Sequence, residues 1–329
     1  KRVSSWNKIS KNKIKYEIQN LRDYEKSKPI FNKFQPETVI HLAEQPSAPY
    51  SMMSYEAASF TLKNNLETTL NLAYLVNNLD TKAHIIKLGT MGEYGTPNID
   101  IEEGFINIRH KNREDKFLFP RKGGSLYHTT KIQDTDLLYF YARAWQLRVT
   151  DLMQGPVYGL HTRETKFHQN LWTSFFYDGI FGTVLNRFVV QAIAGFPLTV
   201  YGKGNQRRGY LNILDTLECI KIAIESPPKV GELKIFNQFT EVFTVNELAE
   251  KVLKSAKNIG LKNLKIKKII NPRVEMEDHY YNPVCENFKN LGLKANRLSD
   301  NYLENLIEEL LIYKSKINHS EILPNIKWK

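Results

Sequence analysis

Apolar, β-branched residues gather in short runs separated by long helical stretches. Residues 38–43 (TVIHLA), 84–89 (HIIKLG) and 148–152 (RVTDL) each read as a strand. Between them, apolar positions recur at helical spacing over about 55–78 and 125–145. Strands alternating with helices of this length predict a parallel sheet covered on both faces, the doubly wound α/β class. After about residue 155 the rhythm loosens. A helix over 182–194 runs into a strand at 198–201, a helix follows over 215–224, and another strand is expected at 233–237. Thr244 with Glu247 three residues on predicts a capped helix start, and a last helix is expected near 303–313.

This pattern divides the chain into a nucleotide-binding unit over 1–153 and a mainly substrate-binding unit over 154–329, with 208–240 returning to the sheet. Residues 98–122 alternate like a hairpin and could form a flap over a site, or a surface insertion. No Gly-rich phosphate loop precedes residue 38, and the GKG at 202–204 comes too late to be one. The expectation is an N-terminus shortened by about 60 residues, the size of the missing strand–loop–helix–strand unit.

Composition narrows the classes. The 42% hydrophobic and 25% charged residues are ordinary for a globular chain, and no apolar run approaches the roughly 18–20 residues that span a bilayer. Cys219 and Cys285 lack metal-ligand spacing. The +11 charge is mostly lysine scattered over predicted helix surfaces, without the aromatic-interleaved stripe of a nucleic-acid binder. It suits an enzyme with anionic ligands.

The chemistry centres on Tyr127 and Lys131, whose i,i+4 spacing puts phenol and ammonium on one helix face. A neighbouring ammonium lowers the cost of a phenolate, so Tyr127 can serve as a general base. Thr90 stands at the end of a strand, where ligands of such folds collect.

Thr90-Met91-Gly92-Glu93-Tyr94-Gly95 followed by Tyr127-x-x-x-Lys131 resembles the catalytic segments of the extended short-chain dehydrogenase/reductases. HLAEQ at 41–45, SAPYSM at 47–52, KLGTMGEYGTPNIDIEEG at 87–104, PLTVYGKG at 197–204, FNQFTE at 236–241 and NPRVE at 271–275 narrow the resemblance to the UDP-sulfoquinovose synthase family, over nearly all of the chain from Pro36. The resemblance implies bound NAD and a redox-neutral conversion of UDP-glucose and sulfite, with Tyr127 as base, Lys131 supporting it and Thr90 orienting the sugar. It further implies Glu93, Met91 or His128 in the dehydration steps. Asn20, Leu42, Ala43, Glu44, Asn65, Leu88 and Gln154 would join Tyr127 and Lys131 around NAD. Gln45, Asn186, Arg187, Thr199, Tyr201, Gln206, Arg208, Asn237, Arg273 and Glu275 would meet the UDP-sugar. Taken singly, Asn186, Tyr201 and Gln206 equally suit loop bracing, and His128 equally suits packing. Pro46 replaces an arginine expected of that family, and Asn20 replaces an aspartate. A UDP-sugar 4-epimerase, a 4,6-dehydratase and a silent NAD/UDP-sugar binder remain alternatives. The family also implies a homodimer joined through the helices at 55–78 and 125–145, a sulfite-delivering partner protein, and a soluble setting in cytoplasm or plastid stroma.

Overall fold

The computed structural model describes residues 1–273, 278 and 280–323. Helices α1 (Arg2–Ile9) and α2 (Tyr24–Phe34) precede strand β1 (Thr38–His41), and α3 (Ala48–Ser51) and α4 (Tyr55–Asn77) lead to β2 (His84–Thr90). Strands β3 (Phe105–His110) and β4 (Arg113–Leu118) come next, then α5 (Leu126–Trp145) and β5 (Arg148–Gln154). The chain continues through β6 (Val157–Tyr158), α6 (Val184–Ala194), β7 (Leu198–Tyr201), β8 (Arg207–Asn212), α7 (Ile213–Glu225) and β9 (Leu233–Gln238). It closes with β10 (Glu241–Thr244), α8 (Val245–Asn258), β11 (Ile266–Ile269), α9 (Asn287–Asn290) and α10 (Asp300–Leu311).

Strands β1, β2, β5 and β9 form one parallel sheet in that order. Successive strand residues point to opposite faces, so neighbours in sequence enter different cores. Ile85 and Val149 pack with Leu72 and Val76 of α4 and Leu138 of α5, whereas Ile86 and Leu152 pack with Ile222 and Ala223 of α7. Burying each such side chain is worth about 1.5–3 kcal/mol, which explains why these strands read as continuous apolar runs. The expected doubly wound α/β sheet is therefore present.

A third core gathers Phe188 and Val189 of α6, Leu248 and Val252 of α8, and Leu303 and Ile307 of α10. Thr244 caps α8 reciprocally with Glu247, as its spacing predicts. Of the stretch 208–240, β9 enters the main sheet, while β8 pairs with β6 and β10 in a separate three-stranded sheet. Helix α2 was not anticipated; Asp23 caps it, accepting a bond from the amide of Lys26. Residues 105–118 do form a hairpin, with Phe105 against Tyr139 of α5 at 5.8 Å between ring centroids. No helix of the described residues is long and apolar enough to cross a membrane.

Candidate active site

Parallel pairing sets Thr90, the last residue of β2, opposite Gln154, the last residue of β5. Thr90 then caps the short turn Met91–Glu93, accepting from the amide of Gly92 at 3.1 Å. Helix α5 begins beside this point. Ser125 caps it, Ser51 accepts from the amide of Tyr127 at 3.1 Å, and the rings of Tyr127 and His128 lie side by side at 5.3 Å.

A cavity of two joined lobes opens over these strand ends. The larger, about 590 Å³, is lined by Pro46, Thr90, Tyr127, His128 and Gln154 on the sheet side and by Arg187, Tyr201, Gln206, Arg208 and Arg273 on the other. The smaller, about 460 Å³, shares Thr90, His128, Gln154, Arg208 and Arg273 and adds Met91, Gly92, Lys122–Gly124 and Tyr281. The strands of the hairpin line neither lobe; of residues 98–122, Lys122 lines the smaller one.

Below the floor lies a buried charge cluster. The Lys87 ammonium donates to Asp151 at 3.0 Å, Glu93 at 3.2 Å, Thr135 at 2.8 Å and the carbonyl of Lys131 at 3.1 Å. Burial alone would favour a neutral amine, but Asp151 and Glu93 outweigh it and hold Lys87 protonated above its ordinary range. Arg121 reaches the second oxygen of Glu93 at 3.2 Å.

Glu93 therefore does not serve where the sequence suggested. Its side chain is fully buried among Lys87, Arg121 and the amide of Thr90, and it lines neither lobe. Asn237 is likewise withdrawn: it accepts from the Tyr94 hydroxyl at 2.9 Å and donates to the Val284 carbonyl. Thr199 accepts from Gln191, and Asn186 braces the Phe176 carbonyl at 2.9 Å; neither lines the cavity. Leu88 packs into the α7 core. Glu275 lies outside the described residues.

Of the residues assigned to a cofactor, Leu42, Ala43, Glu44, Asn65 and Lys131 gather at the carboxyl end of β1, together with Gln45, which was assigned to the UDP-sugar. Lys131 points there and pairs with Glu44 at 2.5 Å, with His41 also on Glu44 at 3.2 Å. Asn65 pins the backbone of Gln45 through 2.8 and 3.2 Å bonds and donates to Thr130 of α5, so it positions this loop. Gln45 is buried with its side-chain nitrogen unpartnered, while Leu42 and Ala43 face solvent. An exposed apolar rim beside an unpartnered buried amide suits the nicotinamide half of a dinucleotide. Asn20 sits apart, its side chain closing a turn on the amide of Arg22.

Burial, then the charges of Glu44 and Glu93, pushes the Tyr127 phenol above its ordinary value. Burial, then Arg208 and Arg273, pushes His128 down to about 4, so its imidazole is neutral near pH 7. Across the cavity, Arg187 donates to the Tyr201 hydroxyl at 2.7 Å and stacks over its ring at 4.1 Å. Gln206 is buried with neither amide atom partnered, and Arg187 Nε and His128 Nδ1 also lack partners. These atoms mark a surface shaped for a polar ligand. Sequence reasoning missed Lys87, Asp151, Arg121 and Lys122. The first two carried a signal, a single charge inside each of two apolar strands, brought opposite one another by register.

The NAD dependent epimerase/dehydratase family matches residues 2–237. The chain is 45% identical to the chloroplastic UDP-sulfoquinovose synthase of Spinacia oleracea, over 100% of this chain and 68% of that protein. It is 42% identical to the UDP-sulfoquinovose synthase of Sulfolobus acidocaldarius, over 96% and 81% respectively. Among solved structures, the UDP-glucose 4-epimerase of Thermotoga maritima with UDP-glucose superposes at TM-score 0.69 and 22% identity, covering 94% of this chain and 87% of that one.

Proposed function

The chain belongs to the NAD-dependent epimerase/dehydratase family and to its UDP-sulfoquinovose synthases, and on that footing we propose that it makes UDP-sulfoquinovose from UDP-glucose and sulfite. The observation that carries this reading is one cavity whose lining combines Thr90 and Tyr127 with the guanidinium groups of Arg187, Arg208 and Arg273. A sugar set against Thr90 leaves a diphosphate in reach of the guanidinium groups, which suit phosphate by charge and by their planar fork.

NAD, when bound, would supply reversible hydride chemistry at C4, with no net redox change over the cycle. Tyr127, Lys131, Glu44, Gln45 and Leu42 are the residues that would hold its nicotinamide half. Thr90 orients the C4 oxygen and Tyr127 takes its proton. Lys131, one helical turn on, is the cation that offsets a Tyr127 phenolate once it leaves Glu44. The C4 ketone acidifies the C5 proton, and C6 loses its hydroxyl as water with that proton. Sulfite then forms the C6–S bond as C5 regains a proton. With Glu93 withdrawn, His128, neutral and on the wall of both lobes, is the group placed to move that proton.

The dimer belongs to the same reading. Helices α4 and α5 expose Tyr55 (81%), Phe60 (45%) and Phe140 (55%), an apolar surface for a second copy to cover. Light scattering that finds only monomer across a concentration series removes this part. The reactivity of sulfite makes delivery by a partner protein a further part.

The test is mass spectrometry of the full-length protein with NAD and UDP-glucose, with and without sulfite. A sulfite-dependent product in which sulfonate replaces the C6 hydroxyl is expected. A product that forms regardless of sulfite turns the assignment to an epimerase or dehydratase.

A further inference from the structure

The proposed reaction brings two anionic reactants to one sugar, and the cavity has two lobes. They meet at Thr90, His128, Gln154, Arg208 and Arg273. The larger lobe alone continues past these to Arg187, Tyr201 and Gln206, the wall suited to the nucleotide. The smaller alone is lined by Met91, Gly92, Thr96 and Lys122. Among the described residues lining this lobe there is no carboxylate.

The wall of the smaller lobe is built by backbone contact. Gly95 sits at φ +66, and a Cβ there would fall 1.9 Å from the Lys122 carbonyl oxygen. A Cβ on Gly92 would fall 2.3 Å from the His128 ring. The turn after β2 can therefore meet the hairpin exit at Gly95 and the start of α5 at Gly92 only without side chains at these positions. The amide of Lys122 donates to the Glu93 carbonyl at 3.0 Å, and Arg121 beside it is held by Glu93 and Asp136. The Lys122 backbone is thus fixed while its side chain remains exposed at the lobe, and Gly123 and Gly124 leave the space toward His128 open.

We propose that the smaller lobe is the acceptor subsite, where a small oxyanion of the sulfite class is held by Lys122 with its sulfur toward C6 of the sugar. This rests on the synthase reading above. A diphosphate brings negative charge that Arg208 and Arg273 meet, which leaves Lys122, among the described residues lining this lobe, as the cation for a second anion. Pro46, where an arginine is expected of the family, lines only the larger lobe and brings no charge. An ammonium suits the task because it holds oxygens as a point charge without fixing their plane, leaving the sulfur lone pair free to attack. The insertion thereby acquires a role at the site: the segment that leaves the hairpin after β4 carries the anchor.

The test uses the full-length protein with NAD, varying sulfite and UDP-glucose independently and scoring the sulfonated product. Lys122→Met is expected to raise KM for sulfite about tenfold or more, the loss of one charge-assisted contact, with KM for UDP-glucose moving less than twofold. Lys122→Arg is expected to recover most of the loss. An unchanged KM for sulfite in Lys122→Met, or equal rises for both substrates, overturns the subsite. A wild-type protein that turns over UDP-glucose but incorporates no sulfite overturns the synthase reading together with the subsite. Incorporation indifferent to Lys122 overturns the subsite alone.

Discussion

Thr90 stands between two buried polar regions of opposite character. Beneath it, Lys87, Glu93, Asp151 and Arg121 meet one another in opposite-charge pairs at 3.0–3.2 Å. Only Oδ1 of Asp151 lacks a partner there, and it abuts Gly89. Across the cavity, Gln206 leaves both amide atoms unpartnered and Arg187 leaves Nε. Buried polar groups are costly unless paired. A region that pairs its own groups is scaffold, and one that leaves them open to a cavity is completed by a ligand. The two regions should therefore answer mutation in opposite ways.

The largest effect is expected from Lys87→Met, which leaves the Asp151 carboxylate buried without its cation and Glu93 with Arg121 alone. Breaking such a cluster from one side costs about 3–5 kcal/mol, read as a lowered midpoint in urea denaturation. Adding Asp151→Asn should recover part of that loss, because the remaining groups no longer carry an unmatched charge. If Lys87→Met unfolds at the wild-type denaturant concentration, the lower region is no scaffold.

Gln206→Leu should behave in the reverse sense. Without ligand, stability should hold or rise slightly, since an unpartnered buried amide is removed. Affinity for UDP should fall about tenfold, roughly 1–1.5 kcal/mol for one lost hydrogen bond. Thermal melts with and without UDP, together with calorimetric titration, separate the two. A fall in ligand-free stability of several kcal/mol would place Gln206 with the scaffold instead.

The same contrast explains what was legible in the sequence. Strands 84–90 and 148–154 announced themselves because both faces are buried, and α5 because Ser125 caps a long periodic run. Thr90, Tyr127 and Lys131 could be found because their spacing along the chain reflects their placement in space. Glu93 was misplaced because a carboxylate three residues after Thr90 looks the same in sequence whether it faces the cavity or the core. Its direction is set by Lys87 and Arg121, 6 and 28 residues away. Asn237 was misplaced for a similar reason, its partners Tyr94 and Val284 coming from distant loops. The smaller lobe was invisible because it depends on how the hairpin exit meets the turn after β2, a contact that no periodicity encodes.

The smallest effect, and the one that probes the boundary between the two regions, concerns Glu44. Its carboxylate holds Lys131 at 2.5 Å and is, after burial itself, the leading cause that raises the Tyr127 phenol. Glu44→Gln removes that negative charge and leaves the Lys131 ammonium nearer to acting on Tyr127 alone. Both changes favour the phenolate, so the Tyr127 pKa should fall. Because the base is active when deprotonated, the acid limb of the kcat/KM profile for UDP-glucose should move to lower pH. The plateau should change little if Glu44 acts only on the charge balance. A limb that stays in place while the plateau collapses would make Glu44 a direct partner of the cofactor instead. A limb that moves to higher pH would mean that Glu44 supports the phenolate in the loaded enzyme, reversing the sign read from this structure.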